Sequence, residues 1–347
     1  MAVLEQLNAH AADFKSITEG SALPYPTNHF QGAEIAIRTN HDLFNIETVV
    51  SHSGNSVVVT ATNASSSLNT IQDKYGYIFQ NHINTLNLDG EWFHDITTET
   101  LYLYSETDPN TRNIEAPFYQ STLTINSSNY LEIIGLRIEN AANNTLGGQN
   151  DTYLTIDGCH INNSSDYGTN TWNVTNVSFI NNSITNVNDV GVRWEGGNGI
   201  TFSGNTLKNI SMWAGMGGED YIAYTGLRLI ANGAGNPSII EKNTLDSIGY
   251  HGINFAGKYF IIRQNDVGRY CSIKDDGGGI YSVGNQNANQ IYENFVHDAP
   301  GATQGTPVGE GVKTAGIYPD NDSQNWEVYR NTSSHRIMYN YFIFSFL

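Results

Sequence analysis

From about residue 175 onward the chain repeats a short run in which apolar and polar residues alternate before an asparagine. The runs read Val177-Ser-Phe179-Ile-Asn-Asn182, Ile200-Thr-Phe202-Ser-Gly-Asn205, Ile239-Ile240-Glu-Lys-Asn243, Phe260-Ile-Ile262-Arg-Gln-Asn265, Ile291-Tyr-Glu-Asn294 and Trp326-Glu-Val328-Tyr-Arg-Asn331. Successive asparagines are 23, 38, 22, 29 and 37 residues apart. Alternation predicts strands. The short spacings read as a basal coil and the long ones as a coil carrying an inserted loop. A second column keeps phase with the first: Gly191-Val-Arg193, Gly226-Leu-Arg228, Gly252-Ile-Asn254, Gly279-Ile-Tyr281 and Gly316-Ile-Tyr318. Two strand columns in fixed phase predict an all-β parallel β-helix, each coil adding one rung at about 4.8 Å. Asparagine suits the bends because it tolerates a left-handed backbone and its amide can bond the asparagine one rung away.

Weaker coils, Leu131-Glu-Ile133 through Asn140 and Leu154-Thr-Ile156 through Asn163, extend the solenoid upstream, so regular coils are expected over 120–347. Residues 20–120 keep strand character without the period and read as irregular N-terminal coils of the same single domain, 1–347. Within them Asp89-Gly90 and the large alternating residues that follow predict a β-hairpin over 89–104. Leu4, Leu7, Ala11, Phe14 and Ile17 recur at helical spacing, which predicts a capping helix over 3–17 that covers the open edge of the first coil. The aromatic run Met338–Leu347 reads as a strand buried by another element or as the cut end of a longer protein, and the lack of a polar cap favours the second.

Composition narrows the function. Sixteen Lys+Arg against 34 Asp+Glu give a net charge of −18, which excludes a nucleic-acid binder or a polybasic membrane-surface protein. Abundant Asn and Gly oppose helix interiors, and 39% apolar residues are too many for disorder. No apolar run reaches the ~20 residues of a membrane span. The first residues lack a charged and apolar leader, so an export signal is absent or removed. Cys159 and Cys271 lack metal-ligand spacing and read as two buried thiols.

The stretch Gly90-Glu-Trp-Phe-His-Asp95, with Thr100-Leu-Tyr-Leu-Tyr104 and then Lys274-Asp-Asp-Gly-Gly-Gly-Ile-Tyr281, resembles secreted bacterial right-handed parallel β-helix proteins of the pectate-lyase-like superfamily. That resemblance covers most of the chain. It implies a right-handed solenoid, a secreted, periplasmic or cell-surface location, and a polysaccharide or oligosaccharide partner. Many such proteins are glycoside hydrolases or polysaccharide lyases.

Three inserts raise the walls of a groove: 211–225, 268–278 and 297–315. Alignment of the Gly-Ile-Tyr column puts Asp276 just ahead of its strand, with Lys313 at the matching place one rung on and Asp320 beyond the far end. Asp275 and Asp276 adjoin three glycines that let a ligand approach. Their mutual repulsion favours one of them protonated, as a general acid needs. In the resembling glycosidases an Asp of this stretch acts with a second acid on a neighbouring coil. By that resemblance Asp276 is the acid, with Asp275 in reserve and Glu310, Asp320 or Glu219 as partner. The same turn could instead bond backbone amides or hold calcium.

Arg193, Arg228, Tyr281 and Tyr318 share one column, His251 lies one rung from Gly278, and these five with Glu219 are the expected substrate contacts. Stacked arginines require either a carboxylate between them, from Glu195, Asp189 or Asp220, or an anionic ligand. Three functions follow. A hydrolase needs paired carboxylates and no cofactor. A lyase or uronate epimerase needs a Lys, Arg or Tyr base (Arg228, Lys258, Arg263, Tyr281 or Lys313), with Ca²⁺ or Arg neutralising the uronate. A non-catalytic solenoid only binds or adheres. No metal-ligand set is identifiable in the sequence.

Overall fold

The computed structural model describes residues 15–18, 23–60, 70–233, 235–284, 287–307, 309–321 and 323–334, with the backbone of 5–6 and 9–10. The chain divides into two compact units where the sequence predicts one domain. The first comprises Met1–Glu115 with two short segments from later in the chain, Glu219–Tyr221 and Thr303–Gly311. The irregular coils expected over 20–120 are replaced here by a seven-stranded antiparallel sheet. Its central strands are Glu34–Arg38, Phe44–Ser53, Ser56–Val59 and Gly76–Gln80, and it buries Ile17, Phe30, Ile35, Ile37, Val49, Val57 and Tyr77. The helix expected over 3–17 falls mostly outside the described residues. Where that segment is described it is strand, at Glu5–Gln6, Ala9–His10 and Ser16–Thr18, paired at the margins of the same sheet. The predicted hairpin forms, with Trp92 opposite Leu103 and Asp95 opposite Thr100. The C-terminal run 338–347 lies outside the described residues.

The second unit is a right-handed parallel β-helix, with strands from Ser121–Asn126 to Thr332–Ser334. Each coil lays down three strands. The first face carries Asn144–Gln149, the opening half of Tyr167–Ile180 and of Val190–Ser203, then Leu227–Asn232, Ile253–Lys258, Gly278–Ser282 and Ala315–Pro319. Two of these strands bend round a corner onto the second face, which joins the first in one 14-stranded sheet. The third face is a separate parallel sheet of eight strands, Arg137–Ala141 through Thr332–Ser334.

Inward side chains, among them Val192, Leu227, Ile253 and Ile280, stack in register along the axis and are buried. Between the second and third faces Asn182, Asn205, Asn243, Asn265 and Asn294 each donate from Nδ2 to the Oδ1 of the next, at 3.1, 3.0, 2.9, 2.9 and 2.9 Å, ending at Asn331. The same Nδ2 atoms bond carbonyls of the second-face strands, so the bend buries its amides fully bonded. Cys159 holds the equivalent place one rung earlier, its backbone N–H donating to Asn182. Both cysteines are free and buried.

Candidate active site

The first face carries an outward column whose register is Asn170, Arg193, Arg228, Asn254, Tyr281, Tyr318. Strand alternation turns these six out and turns their neighbours, such as Trp194, into the core. Arg193 lies against the rings of Tyr167 and Trp172 (5.5 and 5.1 Å) and bonds the Tyr167 hydroxyl at 3.1 Å. Burial above all, with Asp166 and Asp189 nearby, pushes the Tyr167 hydroxyl up to about 12. One oxygen of Glu195 faces both arginines, 3.2 Å from Arg193 Nε and 3.7 Å from Arg228 Nε. Of the alternatives open from sequence, a carboxylate therefore sits between the two stacked cations. Arg228 also donates to Asn254 Oδ1 at 2.5 Å.

Two aspartates stand at the far end of this column, cross-braced by tyrosines from adjacent rungs. The Tyr281 hydroxyl donates to Asp320 Oδ2 at 2.9 Å, and the Tyr318 hydroxyl reaches Asp276 Oδ1 at 3.5 Å. The two rings meet edge to face at 5.4 Å. Burial first, then the Asp320 carboxylate, raises the Tyr281 hydroxyl far above its usual range, so it stays protonated and donates. Asp276 and Asp320 are both partly exposed. The Asp276 backbone is left-handed (φ 58°), a conformation Asp tolerates, and its carbonyl accepts from the Tyr250 hydroxyl at 2.9 Å.

Asp275 differs from its neighbour. It is fully buried and accepts from the Thr314 hydroxyl (2.5 Å) and the Lys313 backbone N–H (2.9 Å), tying its coil to the next. Lys274 is buried too, with Nζ over the rings of Tyr224 and Tyr250 at 4.9 and 5.4 Å. The three glycines serve packing instead of ligand approach. A Cβ on Gly277 would stand 2.5 Å from Tyr250 and 3.0 Å from His251 Nδ1, and one on Gly279 would stand 2.3 Å from Val296.

His251 lies one rung from Gly278, as the register predicts, and accepts the Gly278 N–H on Nδ1 at 3.2 Å, which places its proton on Nε2. Its ring stacks on Tyr281 at 4.0 Å and lies tilted against Tyr250 at 3.7 Å. Burial, reinforced by Lys274 and Arg228, drives its pKa well below the ordinary value, so the ring is neutral. An unfolded chain takes up this proton below about pH 6.5 while the folded one does not, so stability is complete above that value and falls as the pH drops. Urea unfolding between pH 6.5 and 5 is expected to show wild-type stability falling faster than that of His251→Gln. The difference in slope approaches at most about 1.4 kcal/mol per pH unit.

Glu219 and Glu310 belong to the first unit. Glu219 accepts from the Ile46 N–H at 2.5 Å, and Glu310 pairs with the buried His41 at 2.5 Å. Of the residues expected from sequence, Arg193, Arg228, Tyr281 and Tyr318 thus lie on the first-face strands with Asp276 and Asp320 at strand ends, whereas His251, expected as a substrate contact, is buried against Tyr250 and Tyr281. Asn254 completes the column, and Glu195 stands two residues along the strand from Arg193. Asn254 was visible in the Gly-Ile-Asn triplet, whereas the role of Glu195 needed the register to choose among three acids. Among the described residues, no three His, Cys, Asp or Glu side chains come together as a metal site.

Residues 121–333 match the profile of the right handed beta helix region family. No curated protein matches the chain in sequence. A solved structure described only as a glycoside hydrolase resembles it over 96% of this chain and 74% of its own, with a TM-score of 0.67 at 11% identity. A periplasmic alginate epimerase aligns over 55% of this chain and 47% of its own (TM-score 0.35, 13% identity). The catalytic domain of an α-1,3-glucanase aligns over 63% and 58% (TM-score 0.28, 11% identity). At such identities the likeness concerns the fold.

Proposed function

Because the chain belongs to the right handed β-helix family, whose first face here carries a polar and aromatic column ending in two carboxylates, we propose that it is a carbohydrate-active enzyme, and more narrowly a glycoside hydrolase. The observation that carries this reading is the crossed bracing of Asp276 by Tyr318 and of Asp320 by Tyr281. It ties two partly exposed acids to one pair of touching tyrosine rings from adjacent rungs. Both Asp320 oxygens accept hydrogen bonds, from the Tyr281 hydroxyl and from the Asn321 N–H at 2.8 Å, which suits a base or nucleophile. Asp276, partly exposed and with Oδ1 3.5 Å from the Tyr318 hydroxyl, is in this reading the proton donor to the leaving oxygen. Asp275 positions this turn from below by clamping Thr314 and Lys313.

Arg228, held from behind by the buried Asn254, and the tyrosine rings supply hydrogen bonds and flat faces for sugars along the column. Glu195 offsets the positive charge of the arginines, which favours a hydroxyl-rich substrate over a polyuronate. A protein acting on external polysaccharide would work outside the cytoplasm.

The reading is tested on a panel of plant and algal polysaccharides, with reducing ends and ultraviolet absorbance followed together. Hydrolysis raises reducing ends alone. Growth of absorbance at a new double bond identifies a lyase, and retention of glycan without release identifies a binder.

A further inference from the structure

Seven of the eight third-face strands carry a residue with left-handed backbone within one position of their C-terminal end, and these residues share one register: Asn140, Asn163, Asn186, Asn209, Ser247, Arg269 and Asp298, with φ of 60, 56, 55, 56, 61, 46 and 54°. The first four are the residue that this conformation favours, and their amides bond one another at 3.1, 3.5 and 3.3 Å. The last three abandon asparagine, and with it the amide stack. Asp298 tolerates this conformation, but Ser247 and Arg269 hold it against their preference, and residues so held concentrate at functional sites.

The surface opens at that same place. A cavity of about 520 Å³ is lined by Ser247, Arg269 and Asp298 of the column, with Met212 and Ser272. It shares Met212 and Ser247 with a second cavity of about 350 Å³ that continues past Trp213 to Asn209 and Asn186. The groove therefore crosses five rungs, about 19 Å at the spacing of parallel strands.

Its chemistry is that of a polyol site. Trp213 is 55% exposed and offers a flat face, with Met212 beside it. The serines and asparagines offer hydrogen bonds. The charged groups are paired, with a surplus of carboxylate that disfavours an anionic ligand: Arg269 pairs with Asp246, and Asp298 pairs with His297 at 3.0 Å, which also bonds Asp266 at 2.7 Å. The third-face strands already pair their backbones with neighbouring rungs, so they offer no edge to a peptide strand.

We infer that this groove is a second carbohydrate site, separate from the first-face column, that takes a neutral unbranched oligosaccharide lengthwise along the coil axis. It rests on the carbohydrate reading above. It also adjoins the catalytic turn in sequence, since Arg269 and Ser272 lie in the segment that leads to Asp276.

The experiment uses full-length protein carrying Asp276→Asn, titrated with malto-, cello-, xylo-, manno- and laminari-hexaose. At least one hexaose is expected to bind. Adding Trp213→Ala should weaken that binding about tenfold, the worth of a stacked aromatic contact. Arg269→Asn, which restores the residue of the preceding rungs, should also weaken binding without lowering the melting temperature. Arg228→Gln, on the first face, should leave this binding in place. The inference is overturned if no hexaose binds, or if binding is lost in Arg228→Gln and untouched by Trp213→Ala and Arg269→Asn. The hydrolase reading is judged apart from these results, by turnover of polysaccharide by the unsubstituted chain.

Discussion

Asp276→Asn is expected to lower turnover of the polysaccharide substrate by roughly 10²–10⁴-fold, the range of a general acid–base contribution. The substitution keeps the shape of the side chain and its acceptor oxygen for Tyr318, but removes the titratable proton. Asn also accepts the left-handed backbone at this position (φ 58°), so the melting temperature should shift by no more than about 2 °C. Asp275→Asn is expected to behave differently. Asp275 is fully buried between Thr314 and Lys313, so its replacement should lower stability together with turnover. Parallel measurement of kcat and thermal unfolding separates the two neighbours. Wild-type turnover in Asp276→Asn would remove that residue from the site.

Asn265→Ala is expected to be the most damaging single change to the β-helix, at about 3–5 kcal/mol. The side chain is 1% exposed and makes four bonds. Its Oδ1 accepts from the backbone N–H and Nδ2 of Asn243, and its Nδ2 donates to Ile240 O and Asn294 Oδ1. Truncation removes these bonds from buried partners on both flanking coils, Ile240 and Asn243 on one and Asn294 on the other. Asn209→Gly in the exposed outer stack provides the contrast. Its single amide contact to Asn186 is long (3.3 Å) and glycine adopts its backbone freely, so the change should stay within about 0.5 kcal/mol. Denaturant unfolding of the two variants measures the difference, and equal losses would show that the buried bonds contribute no more than exposed ones.

The parts of this molecule that were readable from sequence are those that repeat. Asn182 to Asn331 and the Gly-x-Arg, Gly-x-Asn and Gly-x-Tyr triplets announce themselves because each coil must return its chain to the same register, whatever loop it carries. That register also brings His251 beside Gly278 and Tyr318 beside Tyr281. The antiparallel sheet of the first unit has no such constraint. Its strands pair by turn geometry and burial, and Glu34–Arg38 pairs with Gly76–Gln80 across an interval that leaves no period to detect.

Inserted loops are hidden for a related reason. Nothing in the register says where their tips go, so Glu219 and Glu310, attractive as acids near the column in sequence, instead bond Ile46 and His41. The groove of the third face left a faint trace. Asn140, Asn163, Asn186 and Asn209 recur every 23 residues and then stop, and the groove runs from the last two of them across the rungs that lack asparagine.

The most direct measurement is the turnover of Asp276→Asn, Asp320→Asn and the double variant on one substrate found in the polysaccharide panel. Two carboxylates acting on the same bond are not independent, so the double variant should be no more than a few-fold slower than the slower single one. Full activity in either single variant, or losses that multiply in the double, would contradict a shared site on the first face.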